Sequence, residues 1–313
     1  MDPATKALYD SYPMEDKSDF FPAYIYMKYI DYFLVQALKI QGQNPKEPAE
    51  LPENGIDEMV QSVVQRIAEN AGTLDTSFYH GKVVKVEDAV KLVTQKEPVK
   101  VCPPEAVIPF KIARDIILDN PGSIAVGICA CRAASPKPCL PPDKQEVCLF
   151  IGDPYASFIA EKSPLFRKCT QEEAVAVIEA AHKRGDVSFA YFKKDMGNRF
   201  FAICNCCSCC CQGVKAWNTY GGMIPIIAPS GYVAKVSDDC NGCGSCEGSC
   251  RFGALTLDNQ VAEINAAKCM GCGVCEDVCP IGVISMERDK SKGDPLDLDE
   301  LKRAPRNNSR KEV

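Results

Sequence analysis

Residues 56–70 carry apolar side chains at Ile56, Met59, Val60, Val63, Val64 and Ile67, a spacing that gathers one apolar stripe on a helix, and Gly72 supplies a stop. Upstream, residues 20–40 read FFPAYIYMKYIDYFLVQALKI, aromatic and apolar over nearly a bilayer's thickness. Lys28, Asp31 and Lys39 interrupt the run. Charges near the centre of a span are costly in lipid, so the stretch predicts no transmembrane span but a buried or partner-facing helix beginning after Pro22, with peripheral attachment to a membrane surface as the alternative. Residues 77–88, SFYHGKVVKVED, read as a short hairpin turning near His80-Gly81. A helix is expected over 107–118, ended by Asn120-Pro121-Gly122. SIAVGI (123–128) and RFFAI (199–203) are unbroken apolar runs of strand length. Between them Thr170 and Glu173 form a capping box for a helix reaching Arg184 and closed by Gly185. Beyond Glu287 the chain is highly charged with few large apolar residues, which predicts disorder over 290–313.

Both apolar strands deliver the chain into cysteines. SIAVGI leads to Cys129-Ala130-Cys131-Arg132, with Cys139 in a proline-rich loop and Cys148 at its exit; RFFAI leads to Cys204-Asn205-Cys206-Cys207-Ser208-Cys209-Cys210-Cys211. If the two strands are sheet neighbours, both sets emerge on one rim. Six cysteines in eight residues cannot all face one side of a regular element, and adjacent loop thiols would be oxidisable. They must divide between sites or wrap around a metal. The candidate ligands are Cys129, Cys131, Cys139, Cys148, Cys204, Cys206, Cys207, Cys209 and Cys210. Thiolate-only ligation points to further iron–sulfur clusters or zinc, and spacing does not say which residues share a metal. Cys102 and Cys169 read instead as small core hydrophobes.

A second cysteine pattern occurs twice. Cys240, Cys243, Cys246 and Cys250 are repeated 29 positions later as Cys269, Cys272, Cys275 and Cys279. Three thiolates spaced by two residues reach three corners of one iron–sulfur cube, and the fourth of each run ligates the other cube. One [4Fe-4S] cluster is therefore assigned to Cys240, Cys243, Cys246 and Cys279, and a second to Cys269, Cys272, Cys275 and Cys250. A zinc module would need fewer thiolates. With Cys279-Pro280, and with Gly242, Gly244, Gly271 and Gly273 between the ligands, residues 232–289 resemble a bacterial-type two-cluster ferredoxin. Arg251 departs from that pattern where proline is expected. More broadly, Cys129, Cys131, Arg132, Cys139, Cys148, Gly152 and residues 203–211 ahead of such a segment make 107–289 resemble a family of multi-cysteine, ferredoxin-like iron–sulfur proteins of anaerobes. That resemblance implies iron–sulfur binding and no particular reaction. The CCG pattern of noncubane heterodisulfide-reductase clusters is absent.

The expected fold class is α+β and multidomain: a helical, winged-helix-like N-terminus over 1–100, a cysteine-rich α/β metal-binding domain over 101–231, a two-[4Fe-4S] ferredoxin domain over 232–289 and a charged tail over 290–313. At 313 residues and 46% hydrophobic, the chain can bury a sizeable core. Twenty cysteines against two histidines, with charged residues rather than an apolar leader after Met1, favour a reducing cytoplasm over a disulfide framework. A net charge of −6, and 16 acidic against 11 basic residues over 1–100, disfavour nucleic acid as a partner. His80 reads as a solvated turn residue and His182 as a cation complementing a helix C-terminus. No GxGxxG, Walker loop or Ser-His-Asp arrangement is present, so no catalytic residue is assigned. Three functional classes follow: an electron-transfer protein or oxidoreductase subunit serving a redox partner protein, an anaerobic reductase with a substrate-binding cluster in the middle domain, and a redox-responsive regulator. Oligomeric state is not encoded in any motif.

Overall fold

The computed structural model describes residues 1–13, 17–48, 56–71, 79–223, 225–258 and 261–303. Helix α1 (Pro3–Asp10) is capped by the Asp2 carboxylate, which accepts from the Thr5 amide at 3.1 Å. Next come α2 (Lys17–Lys28), α3 (Ile30–Ile40) and α4 (Ile56–Ala71). Strand β1 (Tyr79–Val83) and α5 (Val86–Val93) lead into β2 (Val99–Val101), β3 (Ile116–Leu118), β4 (Ile124–Ile128) and the short α6 (Ala130–Ala133). Then follow β5 (Glu146–Ile151), α7 (Tyr155–Lys162), β6 (Phe166–Cys169), α8 (Gln171–Lys183), β7 (Val187–Lys193), β8 (Arg199–Cys206) and α9 (Gln212–Tyr220). The C-terminal part holds β9 (Ile227–Ala228), β10 (Tyr232–Val236), β11 (Leu255–Asp258), β12 (Val261–Ile264), α10 (Val274–Asp277), β13 (Ile284–Arg288) and α11 (Leu298–Arg303).

The protein is α+β. Its centre is a seven-stranded sheet ordered β6-β4-β5-β8-β7-β1-β9, antiparallel except for the β1/β9 pair. Every residue of β7 is buried because both faces are covered. One face packs with residues of α1, α2 and α7 and with Phe252, Met270 and Val274 of the C-terminal part. The other carries residues of α5 and α8, together with β2 and β3. Among the described residues, three small antiparallel pairs complete the fold: β10 with β13, β11 with β12, and β2 with β3.

Several expected elements take a different form. The hairpin near His80-Gly81 does not form: β1 pairs instead with β7 and β9, strands from over a hundred residues away, and 86–93 is the helix α5. The winged-helix comparison loses its wing, and with it the structural ground for a regulator. His80 is fully buried rather than solvated, stacked between Phe110 and Phe192. Residues 107–118 are not helical: 116–118 are a strand that pairs with β2. The first aromatic helix starts at Lys17, runs through the buried Pro22 and then breaks at Tyr29. No described helix is long and apolar enough to cross a membrane. The α4 and α8 expectations are met, with Thr170 Oγ1 accepting from the Glu173 amide at 3.1 Å. Cys102, expected in the core, is exposed. Gly72, residues 77–78 and 304–313 and the Ile67 side chain lie outside the described residues.

The charged tail is ordered through Arg303. Leu296 and Leu298 are each 1% exposed in the second core, and Asp297 pairs with Lys91 at 2.9 Å. The Asp294 carbonyl accepts from the buried Lys82 ammonium at 2.9 Å. Burial pushes Lys82 down to about 7. The unfolded chain holds that proton up to its ordinary value of 10.5, so between pH 7 and 10.5 the unfolded state binds more protons and stability rises with pH. Raising the pH from 7 to 9 is expected to add roughly 2 kcal/mol through this group. Urea unfolding at several pH values checks it: wild type should gain over Lys82→Met across this range, and parallel profiles would refute the assignment.

Candidate iron–sulfur and metal sites

The repeated cysteine runs line two recesses. Cys240, Cys243, Cys246 and Cys279 line the first with Leu257, Pro280 and Ile284. Cys250, Cys269, Cys272 and Cys275 line the second with Phe252, Met270 and Met286. The fourth cysteine of each run has crossed to the other recess, the exchange expected from the spacing. Helix α10 carries the chain from Cys275 to Cys279, and the turn before Phe252 does the same for Cys250. Gly242 and Gly271 hold φ of 68° and 67°, while Gly244 and Gly273 hold 76° and 85°, so the two repeats bend alike. At Gly271 a Cβ would stand 2.3 Å from the Tyr232 carbonyl, which leaves room only for glycine.

These residues fit iron–sulfur clusters chemically. The Ala234 and Ala254 amides donate to Cys269 and Cys250 Sγ at 3.5 and 3.3 Å, the kind of N–H···S bond that sets cluster potential. Burial pushes the Cys272 thiol up to about 12 and raises Cys246 and Cys275. Such thiols ionise fully only when a cation binds among them. The two recesses differ in setting. Cys243 of the first is exposed, whereas the second packs through Phe252, Met270 and Val274 into the main core.

Residues 239–283 match the 4Fe-4S dicluster domain. The match is confined to this segment and does not reach the middle cysteines. No curated protein and no solved structure matches the chain. The dicluster domain is fastened to the rest by Arg251, the residue standing where proline was expected. Its guanidinium donates to the Gly185 and Arg184 carbonyls at 2.6 and 2.9 Å, satisfying the exposed C-terminal end of α8. Asn218 of α9 donates to the Arg251 carbonyl at 2.9 Å, and His182 meets the Asp277 carboxylate of α10.

The ten middle cysteines gather at one rim of the sheet. Strands β4 and β8 are not neighbours, because β5 lies between them; each runs antiparallel to β5, so both still end on the same side. The cysteines then divide in two. Cys139, Cys207, Cys209 and Cys210 place their Sγ atoms all within 4.8 Å of one another, and Cys209 and Cys210 stand 3.7 Å apart. Four thiolates on one tetrahedral metal lie about 3.8 Å apart, given bonds of about 2.3 Å, so this quartet is sized for a single ion. No other three potential ligands among the described residues are so tightly grouped, the dicluster quartets included. Cys129, Cys131, Cys148, Cys204 and Cys206 lie apart from it, in or against the main core. Cys211 joins them there. It was missing from the sequence-derived ligand set, although its place directly before α9, as the helix cap, was a usable signal.

Arg132 stands between the two groups. Only 1% exposed, it donates to Asp186 Oδ1 at 3.0 Å, to the Asn205 carbonyl at 2.9 Å and to Cys139 Sγ at 3.4 Å. Burial resists ionisation of Cys139, yet Arg132 and the neighbouring thiols leave it below the ordinary value. Hydrogen bonds from Cys131 and Cys148 likewise hold Cys129 well below its ordinary value, with Arg132 contributing.

Two substitutions probe this framework. Arg132→Leu leaves the buried Asp186 without its main partner and is expected to cost roughly 3 kcal/mol in urea unfolding; a loss under 1 kcal/mol would refute that role. Arg251→Ala should loosen the dicluster domain by about 2 kcal/mol, read as faster amide exchange across 239–283 with exchange in β7 and β8 unchanged. Equal acceleration in both places would show that Arg251 is not a local fastening.

Proposed function

We propose that the protein transfers single electrons through the dicluster domain, with the Cys240/Cys243/Cys246/Cys279 recess as the port for a redox partner protein. The Cys250/Cys269/Cys272/Cys275 recess is the relay toward the cysteine-rich rim. The observation carrying this reading is the difference in setting: one recess reaches solvent at Cys243, and the other is packed against the same core that holds the middle cysteines. Iron–sulfur clusters bound there would each take up and release one electron. The chain's part is to hold and tune them. Phe252 and Met270 line the inner recess, Ala234 and Ala254 donate to its cysteine sulfurs, and Arg251 keeps the domain seated on α8. Rigid seating matters because electron transfer depends on fixed separations.

Paired substitutions test the reading on protein purified without oxygen. Cys243→Ala and Cys272→Ala should each remove one cluster, lowering the integrated signal of the dithionite-reduced protein by about half. The two losses should differ spectroscopically, since Cys243 is exposed and the other recess packs against the main core. Moreover, Cys243→Ala should leave the inner cluster reducible by dithionite but poorly reducible by a protein donor. Equal reduction by the protein donor in wild type and variant would overturn the assignment of the port.

A further inference from the structure

Cys129, Cys148, Cys206 and Cys211 lie in the main core, each 9% exposed or less, and Cys131 and Cys204 pack against them. Cys148 and Cys204 are cross-strand neighbours on β5 and β8, with Sγ atoms 4.0 Å apart. The Cys129 thiol meets those of Cys131 and Cys148, and the Cys206 thiol meets that of Cys211. Tyr26, Tyr79 and Tyr191 close over this set. The Tyr79 and Tyr191 rings stack at 5.2 Å, and Tyr26 shares a hydrogen bond with Tyr79. A Cβ on Gly213 would stand 3.1 Å from the Tyr191 hydroxyl and 3.9 Å from Cys211 Sγ, so glycine there lets phenol and thiol approach.

We propose that this chamber is a second metal site of the middle region, separate from the Cys139 quartet: a buried iron–sulfur centre with ligands drawn from Cys129, Cys131, Cys148, Cys204, Cys206 and Cys211. Six thiols exceed what one tetrahedral ion takes, and they are more widely spread than the quartet. A sulfide-bridged cluster needs both the extra donors and the extra width. Cys148 and Cys204 are free thiols, not a disulfide. Metal binding would release the protons of these thiols to solvent and balance the thiolate charge that burial otherwise disfavours. The Tyr26, Tyr79 and Tyr191 phenols lie beside these thiols and carry O–H donors, the type of group that hydrogen-bonds metal ligands. The chamber also shares its core with the inner recess through Phe252 and Met270.

The test is iron and acid-labile sulfide per full-length chain after anaerobic purification, in wild type, Cys148→Ser/Cys211→Ser and Cys207→Ser/Cys209→Ser, with the dicluster signal read in each sample. Wild type is expected to hold iron and sulfide beyond the about eight of each needed by the dicluster domain. That excess should persist when the quartet is broken and vanish when the chamber is. A wild type that stops at eight, or an excess that disappears with Cys207 and Cys209, overturns the proposal. So does an excess that survives loss of Cys148 and Cys211. Should the chamber variant fail to fold, shown by loss of its dicluster signal, the quartet variant decides alone. The outcome is separable from the electron-port reading: with the excess behaving as expected, equal reduction by a protein donor in wild type and Cys243→Ala would sink that reading and leave the chamber standing.

Discussion

Cys148 and Cys204 face each other across β5 and β8, and that cross-strand register organises the chemistry of the middle region. Because β5 runs antiparallel between β4 and β8, the two C-x-C turns emerge side by side although their strands never touch. The row passes from Phe166 through Gly127, Cys148 and Cys204 to Phe189. Gly127 is essential to it, since a Cβ there would stand 2.2 Å from the Phe166 ring. A one-residue slip of β8 would turn Cys204 and Cys206 to the opposite face.

Charge is the second constraint. Clustered buried thiols resist ionising together, and the protein meets them with one deeply buried cation, Arg132, whose guanidinium is spread over Asp186, the Asn205 carbonyl and Cys139. Its rigid planar fork fixes the directions of these donors, which an ammonium on a flexible stem does not. Arg132 thereby ties α6, the start of β7 and the end of β8 to the cysteine loop.

The dicluster domain is built on a different economy. Its two strand pairs enclose a small core, and its shape depends on left-handed glycines and on thiols turned inward. Contact with the larger body through Arg251, Asn218 and the His182–Asp277 pair converts a small module into part of one packed unit, with the inner recess against the shared core.

The sequence by itself determined whatever depends on local spacing. The 29-residue cysteine repeat specified both recesses and the exchange of Cys250 and Cys279; helical periodicity and the Thr170 cap specified α4 and α8. It also marked the two strand-to-cysteine turns. Tertiary structure decided what depends on distant partners. Residues 79–83 became a strand because β7 and β9 were waiting, and the charged tail became ordered because Leu296 and Leu298 fill a core that composition does not register. It alone sorted ten adjacent cysteines into a tight quartet and a wider chamber and added Cys211 to the latter. Two thiols one residue apart point to different neighbourhoods according to which strands flank them, and no local rule carries that information.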